Sequence, residues 1–209
     1  MLRNETIRVL IVEDHPLVRL GLATALAKDP ELQLCGEADC ESGALEIAER
    51  EHPHVAIVDM RLRSGHGLSL ISRLAAKEPG PRVVVSSMYE PELYAKRAMK
   101  AGAVAYVPKY QSIDDLLAQV KQVAKAPRRI ELAETEESID TVIDPLSDRE
   151  LEVFQLIGEG FSTREIADRL HRSVKTIETH KGRIKSKLEL PSASALAREA
   201  TRWTCRPAA

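Results

Sequence analysis

The sequence predicts an α/β domain, a doubly wound five-stranded parallel sheet, followed by a small all-α domain of four short helices. Three observations carry this. The first two thirds of the 209 residues alternate short aliphatic runs with amphipathic stretches, as strands buried on both faces and their covering helices do. An acidic segment then breaks the pattern, with six acids and no base between Glu131 and Asp144. From Leu146 to Trp203 only helical patterns remain.

The strands are expected at Ile7–Val12, Leu32–Cys35, Val55–Val58, Val83–Val85 and Val104–Val107. Between the first two, Val18, Leu22, Ala25 and Leu26 recur at helical spacing. Pro16 and Pro91 stand where helices would begin, and Pro53 and Pro81 just before strands. A last amphipathic stripe, Ile113, Leu116, Leu117, Val120 and Ala124, opens with Ser112 and Asp115 as a capping box. The domain closes at residue 124, and residues 125–144 read as an acidic linker. In the tail, residues 145–209, Ser147 with Glu150 and Ser162 with Glu165 form two further capping boxes. Gly158 and Gly160 separate the first two helices, and Ser173 and Ser192 cap the third and fourth.

Composition narrows the function. With 44% hydrophobic and 30% charged residues the chain is a folded, soluble protein. Its longest purely aliphatic runs, such as Val9–Val12, are too short for a membrane span or a signal-peptide core. Cys35, Cys40 and Cys205 form no CxxC pair, consistent with ordinary thiols of a cytoplasmic protein. Aromatic residues, at 3%, are too few for the stacking surfaces that bind single-stranded nucleic acid. The net charge of −2 hides a polarity: the tail carries 12 basic and 9 acidic residues, the linker 3 and 6. Residues 171–187 alone hold six bases against one acid, Glu178, a cluster suited to a polyanion or to a solvated helix face.

Ligands of a doubly wound sheet sit at the carboxyl ends of its strands, and those ends carry chemistry here. The first strand runs into Glu13 and Asp14, the third into Asp59, the fourth ends in Ser86–Ser87, and Lys109 follows the fifth. Clustered carboxylates ask for a hard cation such as Mg²⁺. A hydroxyl and an ammonium beside them can neutralise a transferring phosphoryl group, which a carboxylate can accept.

The runs VLIVEDHPLVRLGL, AIVDM, VVVSSMYE and AGAVAYVPK resemble the receiver domain of bacterial response regulators. The tail PLSDRELEVFQLIGEGFSTREIADRLHRSVKTIETHKGRIKSKL resembles a LuxR-type helix-turn-helix domain. Together they resemble the NarL/FixJ family: a flavodoxin-like receiver at 1–124 and a helix-turn-helix DNA-binding domain at 145–209. The resemblance implies that Asp59 is the phosphoacceptor for a cognate histidine kinase. Glu13, Asp14, Asp59 and the backbone carbonyl of Arg61 would bind Mg²⁺. Ser87 and Lys109 would contact the phosphoryl group, with Ser87 and Tyr106 as switch residues. It further implies a homodimer when phosphorylated, control of transcription with RNA polymerase as a further partner, no membrane role, and no turnover of a substrate as an enzyme. Two departures stand out: Leu62–Arg63 replace the frequent Met-Pro, and Pro108 precedes Lys109.

The third tail helix, 174–188, has Val174, Ile177, Ile184 and Leu188 on one face and Thr176, Thr179, His180, Arg183 and Lys187 on another. Such a polar, basic stripe suits the major groove of double-stranded DNA. By resemblance Glu178, Thr179 and Gly182 face base edges, while Lys175, Thr176, His180 and Lys187 approach phosphates. Lys187→Ala should then weaken binding to every sequence and flatten its salt dependence by about one unit of slope.

Other readings compete. The pair His52 and His54 lacks the further ligands of a zinc site. Leu196 and Trp203 suit either the core or a dimer contact through the last helix. A phosphohydrolase using Asp59 as nucleophile would want an acid two residues on, where Arg61 stands. A constitutive DNA binder would use the first domain only as an interaction module. The acidic linker, through Glu134, Glu136 and Glu137, could mask the basic helix at low salt.

Overall fold

The computed structural model describes residues 6–62, 67–88, 91–127, 143 and 145–204. The chain divides into two compact units, Met1–Ala133 and Glu134–Ala209. Most of the acidic segment, Arg63 and Cys205 lie outside the described residues.

In the first unit strands and helices alternate: β1 (Ile7–Val12), α1 (Pro16–Lys28), β2 (Leu32–Ala38), α2 (Glu41–Glu51), β3 (Val55–Val58), α3 (Gly67–Ala75), β4 (Arg82–Ser87), α4 (Pro91–Lys100), β5 (Ala103–Pro108) and α5 (Ile113–Lys125). The strands form one parallel sheet in the order β2-β1-β3-β4-β5. Val9, Ile11, Val55, Ile57 and Val84 lie at its centre, where they meet Leu22 and Leu26 of α1 and Leu116 and Val120 of α5. Leu10, Val12, Ala56, Val58, Val83 and Val85, which alternate with them on the opposite face, are buried as well, and burial on both faces is why the central strands read as unbroken aliphatic runs.

Three strands are longer than their apolar runs. β2 continues to Ala38, with Gly36 and Glu37 paired to Leu10 and Ile11. A side chain at Gly36 would collide with Ile47 of α2, so glycine there admits the helix, and the polar Glu37 disguised the strand. Ser86 and Ser87 extend β4 by pairing with Val107 and Pro108 of β5. The helix starts at Pro16 and Pro91 are as expected.

Two expected core positions point outward instead, Val18 at 37% exposure and Ile113 at 43%. Both lie in the first turn of their helices, beside the site described below. The capping box at Ser112 is one-sided: its hydroxyl accepts the Asp115 N–H, but the Asp115 carboxylate returns to that hydroxyl and not to the backbone.

The second unit contains α6 (Asp148–Gly158), α7 (Thr163–Arg169), α8 (Val174–Lys187) and α9 (Ala193–Thr204). Both expected capping boxes are complete, and Ser173 and Ser192 cap α8 and α9. Gly158 does not break the chain. It is the last residue of α6, and a Cβ there would stand 2.5 Å from the Ala200 carbonyl oxygen of α9, so its lack of a side chain lets the two helices touch. Gly160 makes the turn, at φ +90. Phe154 and Trp203 meet with ring centroids 5.8 Å apart, and Leu196 and Trp203 are buried, so both belong to the core. On α8, Ile177 and Ile184 point inward as expected, whereas Val174 is 47% exposed.

Candidate functional site

In β1 and β3, Val12 pairs with Val58, so the residues that follow each strand emerge side by side at the edge where the strand order changes direction. The backbone fixes their positions: Glu13 N–H donates to the Ala38 carbonyl, Asp59 N–H to that of Val12, and Lys109 N–H to that of Ser87. Lys109 therefore arrives from the far side of the sheet with its ammonium over the carboxylates. Its Nζ donates to Glu13 Oε2 at 2.6 Å and to Asp59 Oδ2 at 2.7 Å. The other Asp59 oxygen accepts the Arg61 N–H at 3.2 Å. Asp59 and Glu13 are almost wholly buried, 4% and 2% exposed.

Burial dominates the electrostatics. It pushes the Asp59 carboxyl up to about 6, against the pull of the Lys109 ammonium, and the Glu13 charge adds to the rise. Burial would lower Lys109, but Asp59 and Glu13 outweigh it and hold the ammonium above its ordinary value. The pocket thus holds a carboxylate that gains from any further positive charge placed beside it.

Glu13, Asp14, His15 and Asp59 each offer a ligand atom, all within 4.8 Å of one another. Three of the four are carboxylates, the hard oxygen donors that suit Mg²⁺. His15 and Arg19 were not singled out from the sequence. The His15 N–H and ring both contact Glu13 Oε1, its Nδ1 lies 2.8 Å from Asp14 Oδ1, and Arg19 donates to the Glu13 carbonyl. The signal lay in the unbroken run Glu13–Asp14–His15 and in the spacing of four from His15 to Arg19, one helical turn.

A cavity of about 570 Å³ opens over this cluster. Asp59, Arg61, Ser87 and Lys109 line its polar end, and Leu17, Val18, Met88 and Ile113 are among its apolar lining. Ser87 is buried beside the cluster. Tyr106 is half-buried on β5 opposite Val85 and does not line the cavity. His52 and His54 have structural duties: His52 ends α2 in the left-handed conformation, and His54 Nδ1 accepts the Arg8 N–H.

The second unit presents α8 beside α7. Lys175, Glu178, Thr179, Gly182 and Arg183 are exposed on it, while Thr176 and His180 are half-buried. A side chain at Gly182 would meet nothing within 4 Å. Burial and the charges of Arg183, Arg149 and Arg172 lower the His180 imidazole against the pull of Glu150, which favours its neutral form. Two expected DNA contacts are engaged within the unit: Lys187 with Glu150, and Glu178 with Thr163 and Lys181.

The first unit is thus a parallel sheet with a carboxylate and lysine pocket at its switch point, and the second a helical unit with an exposed basic helix. Residues 9–121 match the family model for the response regulator receiver domain, and residues 144–200 that for bacterial regulatory proteins of the luxR family. The chain belongs to the NarL/FixJ family of response regulators, which pair a receiver with a LuxR-type DNA-binding domain. It is 32% identical to the response regulator GacA of Pseudomonas aeruginosa, over 94% of this chain and 96% of that one. It is 31% identical to the virulence factors putative positive transcription regulator BvgA of Bordetella pertussis, over 88% of this chain and 92% of that one. Among solved structures, the RcsB response regulator of Salmonella typhimurium superimposes with a TM-score of 0.61 at 26% identity, covering 95% of this chain and 98% of that one. RcsB in complex with DNA gives 0.59 at 26% identity, covering 93% and 98%.

Proposed function

We propose that Asp59 accepts a phosphoryl group from a histidine kinase and that its charge controls dimerisation and sequence-specific binding to promoter DNA. The observation that carries this reading is the buried Asp59 carboxylate held between the Lys109 ammonium and the Arg61 N–H. An Asp59 oxygen attacks the phosphorus of a phosphohistidine, the N–P bond breaks, and the imidazole leaves. Lys109 and the Ser87 hydroxyl are the groups that meet the added oxygens. Glu13, Asp14 and Asp59, with the Arg61 carbonyl, would hold Mg²⁺, which supplies positive charge against the developing phosphoryl charge. Tyr106 couples the change at Ser87 to the receiver surface. Leu17, 83% exposed on α1, and Met88, 71% exposed after β4, form an apolar rim that the kinase crosses to reach Asp59.

Lys175, Thr176, His180 and Arg183 lie on the DNA side of α8, with Thr179 and Gly182 toward the base edges. The regulator works in the cytoplasm, where kinase, DNA and RNA polymerase meet; no helix among the described residues is long and apolar enough to cross a membrane. It turns over no metabolite.

The test is selection of bound genomic fragments by the full chain with Mg²⁺, with and without beryllofluoride, which stands in for the phosphoryl group. Beryllofluoride should tighten binding to a shared set of sites, and Asp59→Asn or EDTA should abolish that response. Equal binding under every condition would refute phosphorylation control and leave a constitutive DNA binder.

A further inference from the structure

We propose that Lys187 and Lys181 are positioning residues that clamp α8 to the two helices before it, while Lys175 and Arg183 carry the phosphate contacts. The inference rests on the DNA-binding reading of α8 and sorts its cations by what already holds them.

Lys187, the last residue of α8, donates from Nζ to Glu150 Oε2 at 2.6 Å. The Glu150 side chain is 4% exposed, and the same Oε2 accepts the Ser147 N–H at 2.8 Å, closing the capping box that starts α6. One buried oxygen thus fixes both the beginning of α6 and the end of α8. Turning Lys187 out to a phosphate would strip a buried carboxylate of its counter-ion, and the approaching phosphate would add a like charge. The second clamp lies nearer the start of α8. Thr163, first residue of α7, donates from Oγ1 to Glu178 Oε1 at 2.9 Å, and Lys181 Nζ reaches both Thr163 Oγ1 at 2.8 Å and Glu178 Oε1 at 2.9 Å. The Lys181 side chain is only 20% exposed. Lys175 and Arg183 are exposed, and among the described residues neither side chain has a hydrogen bond or ion pair. Both can release counterions on meeting DNA without losing a contact inside the protein.

The clamps set how α8 sits in the groove, so their loss reads out as lost discrimination and not as lost charge. The experiment measures binding of the full chain to two duplexes across a salt titration. One duplex has mixed sequence, and the other is recovered by selection from a random library with the wild-type protein. Lys175→Met and Arg183→Met should each lower the slope of log affinity against log salt by about one. Lys187→Met should leave the slope unchanged but reduce the preference for the selected duplex about tenfold, the effect of misplacing a base contact. Glu150→Gln should reduce it similarly, and the double variant no further. Lys187→Gln, which keeps a donor for Glu150, covers the case in which Lys187→Met does not fold. A slope lowered by about one in Lys187→Met, or tighter mixed-sequence binding in Glu150→Gln as Lys187 is released, would overturn the clamp while sparing the DNA-binding reading. Lost thermal stability with an unchanged preference would also overturn it, leaving Lys187 a purely structural residue. No salt-dependent binding by the wild type would refute both.

Discussion

Replacing Asp59 by asparagine should stabilise the metal-free receiver at neutral pH, although it removes the residue at the heart of the site. The Asp59 carboxyl sits at about 6 in the folded protein against 3.8 for the ordinary group. Below 3.8 the folded and unfolded chains both hold the proton. Between the two values only the folded chain keeps it, so stability falls as pH rises, and above about 6 the full penalty applies. A difference of roughly two units corresponds to about 3 kcal/mol at pH 7 and about 1.5 kcal/mol at pH 5. Asparagine mimics the neutral acid in shape and carries no charge to bury. Thermal or urea unfolding in EDTA at the two pH values measures this directly: Asp59→Asn should exceed wild type by about 3 kcal/mol at pH 7, and the gap should roughly halve at pH 5. Mg²⁺ should close it from the other side, since the wild-type pocket gains a ligand that the variant has lost. A variant less stable than wild type at pH 7, or a gap that ignores pH, would show that Lys109 fully compensates the buried charge.

Other perturbations test the helical unit. Glu150 is held below the ordinary carboxylate range because Lys187 and Ser147 outweigh its burial, which pulls the other way. A lowered carboxyl contributes stability that is present above pH 4.5 and lost as pH falls through its folded value, so acid unfolding followed by circular dichroism should flatten in Glu150→Gln. Gly158→Ala should destabilise the unit by about 1–2 kcal/mol in urea, because a strain of about 1–3 kcal/mol against α9 exceeds the better helix propensity of alanine. An unchanged or raised midpoint would mean that α9 shifts freely. Ser173→Ala should cost about 1 kcal/mol by removing the cap of α8. Wild-type unfolding in that variant would show that the cap is replaced by water.

Much of this architecture was written in local signals. Aliphatic runs marked the strands because both sheet faces are covered, and serine followed three residues later by glutamate marked the starts of α6 and α7 because each pair satisfies orphan N–H groups at a helix end. The cluster of Glu13, Asp14, Asp59 and Lys109 was legible because a parallel sheet sends all strand ends to one edge. What escaped was set by packing between elements. Val18 and Ile113 fit an inward stripe but border a cavity, Gly158 looks like a breaker but is a contact, and β2 hides behind Glu37. The partner of Lys187 lies 37 residues away in sequence, and no helical periodicity reports such a pair.

The open space around Gly182 bears on how such a regulator acquires new targets. A side chain at 182 would meet nothing within 4 Å, and Thr179 beside it is likewise turned to solvent, while capping, core and interhelical contacts are assigned to other residues. Exchanges at these two positions disturb none of those contacts, and at 182 any replacement but proline improves helix propensity. Under the proposed reading, in which Thr179 and Gly182 face the base edges, duplicated copies of such a gene can drift to different promoters by single substitutions without passing through an unstable intermediate.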